Sequence, residues 1–233
     1  MLKDDTRPTQ TRRIIINYND IICWDLETSG KDTKTAQIVQ IGAMVIHGRK
    51  LTLKAGSEFD LLCKPLYGEE AAKAGLEELS DGAIKVHGKT HELLADKPPI
   101  ETVLKAFVSY TKQHNFKGTK WGAPISCGYN IAGYDTPILK RELEKAGLEW
   151  PFHPIYHLDM MQQSFVLFEN NEAINSLSAD NLIRNYMGYR DPEGMSGHDA
   201  LADVIMTAEY AIKYLNLMRG VAAKTKFAGA FSK

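Results

Sequence analysis

The sequence predicts an α/β domain in which helices flank a mixed sheet of five strands. Three observations lead there. Three strand-like, largely apolar segments come first, at 21–26, 37–47 and 57–64, separated by short turns as in an antiparallel meander. Helical and strand-like segments then alternate, the order in which a sheet grows through crossover helices. No internal repeat, low-complexity block or linker interrupts the 233 residues, a length that one domain can fold around a sizeable core.

Each element follows from local pattern. Residues 1–13 (MLKDDTRPTQTRR) are polar, lack the apolar segment of a signal peptide and are expected to form an N-terminal arm. Ile14-Ile15-Ile16 is read as a short strand or an anchor. The strand at 21–26 is followed by 37–47, and Gly48-Arg49-Lys50 makes a turn. Residues 57–64 form the third strand, ended by Pro65. The Ala- and Glu-rich run 69–78 is expected to be helical. Ser80 and Asp81 cap a short helix through Val86, which Gly88 stops. Ile100, Val103, Leu104, Phe107, Val108 and Thr111 fall on one helical face behind Pro98-Pro99. A strand at 124–127 and a helix at 134–146 follow, the latter with Ile138, Leu139 and Leu143 inward. Next come a strand at 155–158, a helix from Asp159 to Phe168, a helix at 177–187 and a loop at 191–197. The last helix is expected over 198–218. A single domain at 14–218 and a basic tail at 219–233 result.

Composition excludes several classes. The net charge is −1, so no global cationic field favours a polyanion; such a partner needs a local patch or bound metal. Arg12-Arg13, the lysines from Lys112 to Lys120, Lys140-Arg141 and the tail are the local basic clusters. Cys23, Cys63 and Cys127 lie in apolar contexts with no C-x-x-C pair, which suits buried reduced thiols of a cytoplasmic protein. No apolar run reaches the about 20 residues of a membrane span.

Three stretches carry chemistry. The first strand runs into Asp25-Leu26-Glu27-Thr28-Ser29-Gly30. Side chains two apart in a strand share a face, so Asp25 and Glu27 project together, away from Trp24 and Leu26. Two adjacent acids repel, and a cation between them relieves the repulsion. Asn130-Ile131-Ala132-Gly133-Tyr134-Asp135 joins the fourth strand to a helix. Gly197-His198-Asp199-Ala200-Leu201-Ala202-Asp203 opens the last helix. Taken singly, each pattern also suits an ordinary solvated strand end or first helical turn.

Together, in this order, the three stretches resemble the DEDDh 3′→5′ exonucleases of the ribonuclease-H-like fold over roughly residues 20–216. Gly128-Tyr129-Asn130 with Tyr134-Asp135, His198 through Val204, and Asn175 to Leu182 are most similar to the nuclease domain of bacterial exonuclease I. The resemblance implies a three-layer domain and a metal-dependent hydrolase. It implies release of nucleoside 5′-monophosphates from the 3′ ends of single-stranded nucleic acid, DNA in preference to RNA. Two Mg²⁺ or Mn²⁺ ions would be held by Asp25, Glu27, Asp135 and Asp203, with His198 as general base. Leu26, Thr28, Asn130 and His87 are the expected substrate contacts, His87 equally well placed as a helix-end residue. Asp159 matches a position often acidic in the family, and Asp199 is the weaker ligand candidate. The spacing between Asn130 and Asp135 departs by one residue from many proofreading relatives, and Thr28 stands where oligoribonucleases carry Met; both departures disfavour those roles. An exoribonuclease that trims RNA 3′ ends, or a non-catalytic module that binds nucleic acid or a polymerase, are the alternatives the same residues allow.

Overall fold

The computed structural model describes residues 19–195 and 197–230; the expected arm at 1–13 and Ile14-Ile15-Ile16 lie outside them. The first half of the chain forms β1 (Ile21–Thr28), β2 (Ile38–His47), β3 (Thr52–Leu53), β4 (Phe59–Leu62), α1 (Gly68–Ala74), α2 (Asp81–His87), α3 (His91–Leu94) and α4 (Ile100–Gln113). The second half forms β5 (Ile125–Gly128), α5 (Asp135–Lys145), β6 (His157–Asp159), α6 (Met160–Phe168), a π-helix at Asp180–Tyr186, and α7 (Ala200–Lys224).

β1 lies at the centre of the sheet. It pairs antiparallel with β2 on one side and parallel with β5 on the other; β6 extends the sheet beyond β5. A central strand buries both faces, and the alternation of β1 divides accordingly. Ile22, Trp24 and Leu26 pack under α4 and α5 with Leu104, Phe107 and Leu139. Ile21 and Cys23 pack on the other side with Met160, Leu182 and Val204, from α6, the π-helix and α7. The result is three layers, helix–sheet–helix. Trp24 stacks on Phe152 at 5.8 Å, and its buried indole Nε1 donates to Ser126 Oγ at 2.8 Å, which satisfies the ring's one polar group. All three cysteines are buried and unpaired. Among the described residues no helix is long and apolar enough to cross a membrane.

The architecture matches the expected class, with local corrections. Among the described residues the sheet has six strands rather than five, because two short segments share one edge of β2: β3 pairs with Ile46 and His47, β4 with Gln40 to Ala43. Ser57 stands between them, its hydroxyl donating to Lys54 O at 2.6 Å and accepting from Val45 N at 3.1 Å, so the expected strand at 57–64 shortens to β4. The helix expected over 69–78 stops early. Gly75 adopts a left-handed φ of 66° and its N–H caps the carbonyls of Ala71 and Ala72, so Leu76 to Leu79 run on without helix. The expected helix at 177–187 is a π-helix of seven residues, and α7 extends six residues past 218, so Arg219 belongs to the helix rather than to a tail. Arg219 caps the turn after β2, donating to Gly48 O at 2.6 Å and Arg49 O at 2.9 Å. Arg141 is likewise no free phosphate contact: it pairs with Glu142 and donates to the carbonyls of Thr33 and Ala36.

Gly42 fixes where α7 begins. A Cβ there would lie 2.6 Å from the Ala200 carbonyl carbon and 2.7 Å from Leu201 N, so the first turn of α7 rests directly on the β2 backbone, beside Asp25 in the register. Gly42→Ala is expected to lift α7 and to cost about 1–3 kcal/mol, the range for overpacking a tight contact. Urea unfolding checks this through a lower midpoint at unchanged slope.

Candidate active site

The carboxylates of Asp25, Glu27 and Asp203 come together, one oxygen of each lying within 4.8 Å of the others. β1 supplies Asp25 and Glu27 on its α7-facing side, and α7 brings Asp203 over from its first turn. Asp135 reaches the same place from the opposite layer. It opens α5, is only 3 % exposed, and its Oδ1 accepts from Leu26 N at 3.3 Å, so it sits across β1 from Asp203. The loop leading into α5 is pinned by Asp159, which accepts from Asn130 N and Ala132 N at 3.0 and 2.9 Å and also caps α6. Asn130 tolerates the φ of 60° this loop requires.

Two cations hold the rim. Arg184, on the π-helix, contacts Asp203 at 2.6 Å, Asp180 at 2.8 Å and Asp191 at 3.0 Å. Lys89 is buried and pairs with Asp199 at 2.8 Å. Asp199 is fully committed: its other oxygen caps α7 at Leu201 and Ala202, and Gln40 donates to it at 3.2 Å. His198 precedes this cap with a left-handed φ of 63°; its side chain is 49 % exposed and its Nε2 lies 3.8 Å from Asp180. The structure therefore gathers the four acids and places His198 at the rim, facing Asp180.

A cavity of about 460 Å³ opens beside Glu27, lined by Leu26, Thr28, Gly30, Tyr134, Val86 and His87 among others. The Thr28 and Tyr134 hydroxyls lie 2.6 Å apart and both reach Gly30 O. His87 is a wall rather than a free donor. Its Nδ1 accepts from Lys89 N at 2.9 Å, which leaves the proton on Nε2 to bond Thr28 O at 3.2 Å. Burial lowers its pKa, in keeping with a neutral ring. Leu26 and Thr28 thus line the cavity, as does His87, whereas Asn130 is exposed at the loop and the side chain of Asp199 serves the helix cap. Lys89, Arg184 and Gln40 were not singled out from sequence, and Tyr134 entered there only as part of the motif before Asp135. Only their tertiary partners mark them; the one local hint is Arg184 four residues after Asp180, an ordinary helical ion pair.

The donor set is chemically consistent. Every ligand candidate is a carboxylate oxygen, which suits Mg²⁺ or Mn²⁺. Burial, then repulsion from Asp135, Glu27 and Asp203, pushes the Asp25 pKa well above the ordinary range. Burial and repulsion from Asp203 raise Glu27 to about 8, against the pull of Lys89, and burial raises Asp135 to about 7. Burial also raises Asp203, with Arg184 opposing. Without ions the folded protein thus holds protons that the unfolded chain has released. Stability in chelator is expected to fall as pH rises from about 4.5, the ordinary carboxylate range, to about 8, the folded value of Glu27. Thermal melts at pH 5.5 and 8 should show the drop, and Glu27→Gln should flatten it.

Comparison with known proteins agrees with this geometry. An exonuclease family model, RNase_T, matches residues 22–211. A PolC-type DNA polymerase III of Thermotoga maritima is 25 % identical over 198 residues, covering 84 % of this chain and 12 % of that protein. The DNA polymerase III epsilon subunit of Pasteurella multocida is 33 % identical over 105 residues, covering 43 % of this chain and 33 % of the subunit. The chain thus spans a third or less of these relatives' length, and polymerase subunits stand among them although the Asn130–Asp135 spacing disfavoured proofreading proteins. E. coli exonuclease I in complex with a dT13 oligonucleotide superposes with a TM-score of 0.65 at 18 % identity, over 84 % of this chain and 40 % of the enzyme. The nuclease domain of 3′hExo, a DEDDh family member bound to rAMP, gives 0.64 at 16 % identity, over 85 % and 92 %. The fold is therefore that of the ribonuclease-H-like exonucleases, and with the family model matched over most of its length the chain belongs to the exonuclease family.

Proposed function

We propose that the chain is a metal-dependent 3′→5′ exonuclease that removes nucleoside 5′-monophosphates from single-stranded ends, DNA in preference to RNA. The observation that carries this reading is the convergence of Asp25, Glu27 and Asp203 within 4.8 Å, with Asp135 behind them and an open cavity beside Glu27. The relatives found by sequence are DNA polymerase III proteins, which supports DNA.

Asp25, Glu27, Asp135 and Asp203 would hold two Mg²⁺ or Mn²⁺ ions. When bound, such ions supply a water acidic enough to ionise near neutral pH and offset charge on the leaving oxygen. The chain's own groups do the rest. His198, exposed and on a left-handed backbone, takes the proton of the attacking water. Arg184 and Lys89 orient Asp203 and Asp199 and so hold α7 in register with β1. Leu26, Thr28, Tyr134 and His87 enclose the terminal nucleoside, with Thr28 placed to meet its 3′-hydroxyl.

Matched single-stranded DNA, single-stranded RNA and duplex, each labelled at the 5′ end, test polarity and substrate together. A ladder from the 3′ end that needs Mg²⁺ or Mn²⁺, fastest on single-stranded DNA, is expected; no cleavage with either ion would sink the proposal. Asp25→Asn and Asp203→Asn are each expected to abolish most turnover while the metal-free fold stays at least as stable, because each relieves repulsion. A sharp fall of both melting temperatures in chelator would make these acids structural instead. His198→Ala should keep oligonucleotide binding and lose about 10²–10⁴-fold in rate at saturating Mn²⁺.

A further inference from the structure

Lysine is seldom buried unless its charge is paired, and Lys89 is buried at the candidate metal centre. The local sequence turns it there. Gly88 ends α2 with a left-handed φ of 71°, and the chain doubles back so that the Lys89 N–H and ammonium both donate to His87, at 2.9 and 3.3 Å. Among the described residues the ion-pair partner of the ammonium is Asp199 Oδ2 at 2.8 Å, and the lysine side chain is 10 % exposed. Glu27 is close by. Glu27 and Gln40 are direct partners across β1 and β2, so their side chains lie beside each other on one face, Cβ atoms about 4.5–5.5 Å apart. Gln40 Nε2 donates at 3.2 Å to the same Asp199 oxygen that Lys89 holds. The ammonium thus stands beside Glu27 without pairing to it. Its charge still reaches Glu27, whose pKa it pulls down against burial and Asp203, while Asp199 acts on Asp25 and Glu27 in the opposite sense.

We propose that Lys89 is a positioning residue of this centre: a resident cation, kept off Glu27 by Asp199, that limits how tightly the clustered acids take divalent ions. The proposal rests on the reading of Asp25, Glu27, Asp135 and Asp203 as the metal ligands, and Lys89 is none of them. A unit charge within about 4–6 Å changes the ionisation of a carboxylate at least about tenfold, and a divalent ion at Glu27 meets the same opposition. Removing the ammonium lifts it and leaves the Asp199 carboxylate as one more negative charge at the centre. Removing the charge of Asp199 does the reverse, because the ammonium is then free to turn to Glu27. Asparagine at 199 keeps the helix start, since its side-chain oxygen can accept from the same N–H groups of Leu201 and Ala202. A lysine that merely packed α7 against β1 would give both changes the same sign, because either would loosen Asp203.

The test is calorimetric titration of Mn²⁺ and of Ca²⁺, without substrate, into wild type, Lys89→Met, Asp199→Asn and the double variant, each checked for folding by a thermal melt in chelator. Lys89→Met is expected to bind either ion about tenfold more tightly and Asp199→Asn about tenfold more weakly. The double variant, which removes one charge of each sign, should return close to wild type. Unchanged or weaker binding by a folded Lys89→Met would overturn the proposal and leave Lys89 an anchor for α7. Should Lys89→Met alone not fold, the double variant against Asp199→Asn carries the same comparison: tighter binding by the double variant supports the role, and equal binding overturns it. If wild type and variants take up neither ion, the metal-dependent reading and the proposal fail together. Ion binding without cleavage of any oligonucleotide would count against the exonuclease activity alone, and the comparison of affinities would still decide the role of Lys89.

Discussion

Four carboxylates drawn to the end of one buried strand are the constraint around which this fold is arranged. Asp25, Glu27 and Asp203 cluster on one side of β1 and Asp135 approaches from the other; burial raises the pKa of each, and mutual repulsion adds to it at Asp25 and Glu27. Such a cluster does not assemble through its own attractions. It is held because β1 is locked between β2 and β5, α7 rests on Gly42, and Asp135 is anchored by the Leu26 N–H. The packed layers on either side of the sheet supply the stability that lets the edge remain unfavourable until a cation arrives.

The remaining acids show the contrast. Asp159 and Asp199 lie close by in the chain and in space, yet both are occupied by backbone N–H groups at helix starts, and Asp199 also by Lys89 and Gln40. Although burial opposes it, Lys89 and Gln40 hold the Asp199 carboxyl below its usual range. Asp159 and Asp199 are thus structural members, whereas Asp25, Glu27 and Asp203 face one another and can take metal, even with Arg184 on Asp203. Arg184 stands between the two groups, joining Asp203 to Asp180 and Asp191 and so tying the π-helix and the loop after it to α7. A π-helix at this position agrees with the tendency of such turns to occur at functional sites.

Most of the layered plan was legible in sequence because it depends on period and punctuation. Strand alternation in 21–26, the helical face of Ile100 to Thr111, the cap at Ser80 and the stop at Gly88 are local signals, and each reappears in the structure. The early end of α1 was missed because the Ala- and Glu-rich run hides the glycine that stops it. The short strand β3 and the shortening of the expected strand at 57–64 to β4 were missed because pairing to a ten-residue partner, rather than propensity, decides them.

The candidate site divides along the same line. Sequence alone determined which residue types lie together on β1 and which open α5 and α7, because those relations are set by spacing within single elements. Only the tertiary structure decided that Asp203 closes on Asp25 and Glu27, and that Asp199 is spent on a helix cap. It also decided that His87 is a wall of the cavity, and that Lys89 is buried against Asp199. Those outcomes depend on contacts between residues far apart in the chain, and the direction in which each distant side chain arrives is fixed by packing of the whole sheet.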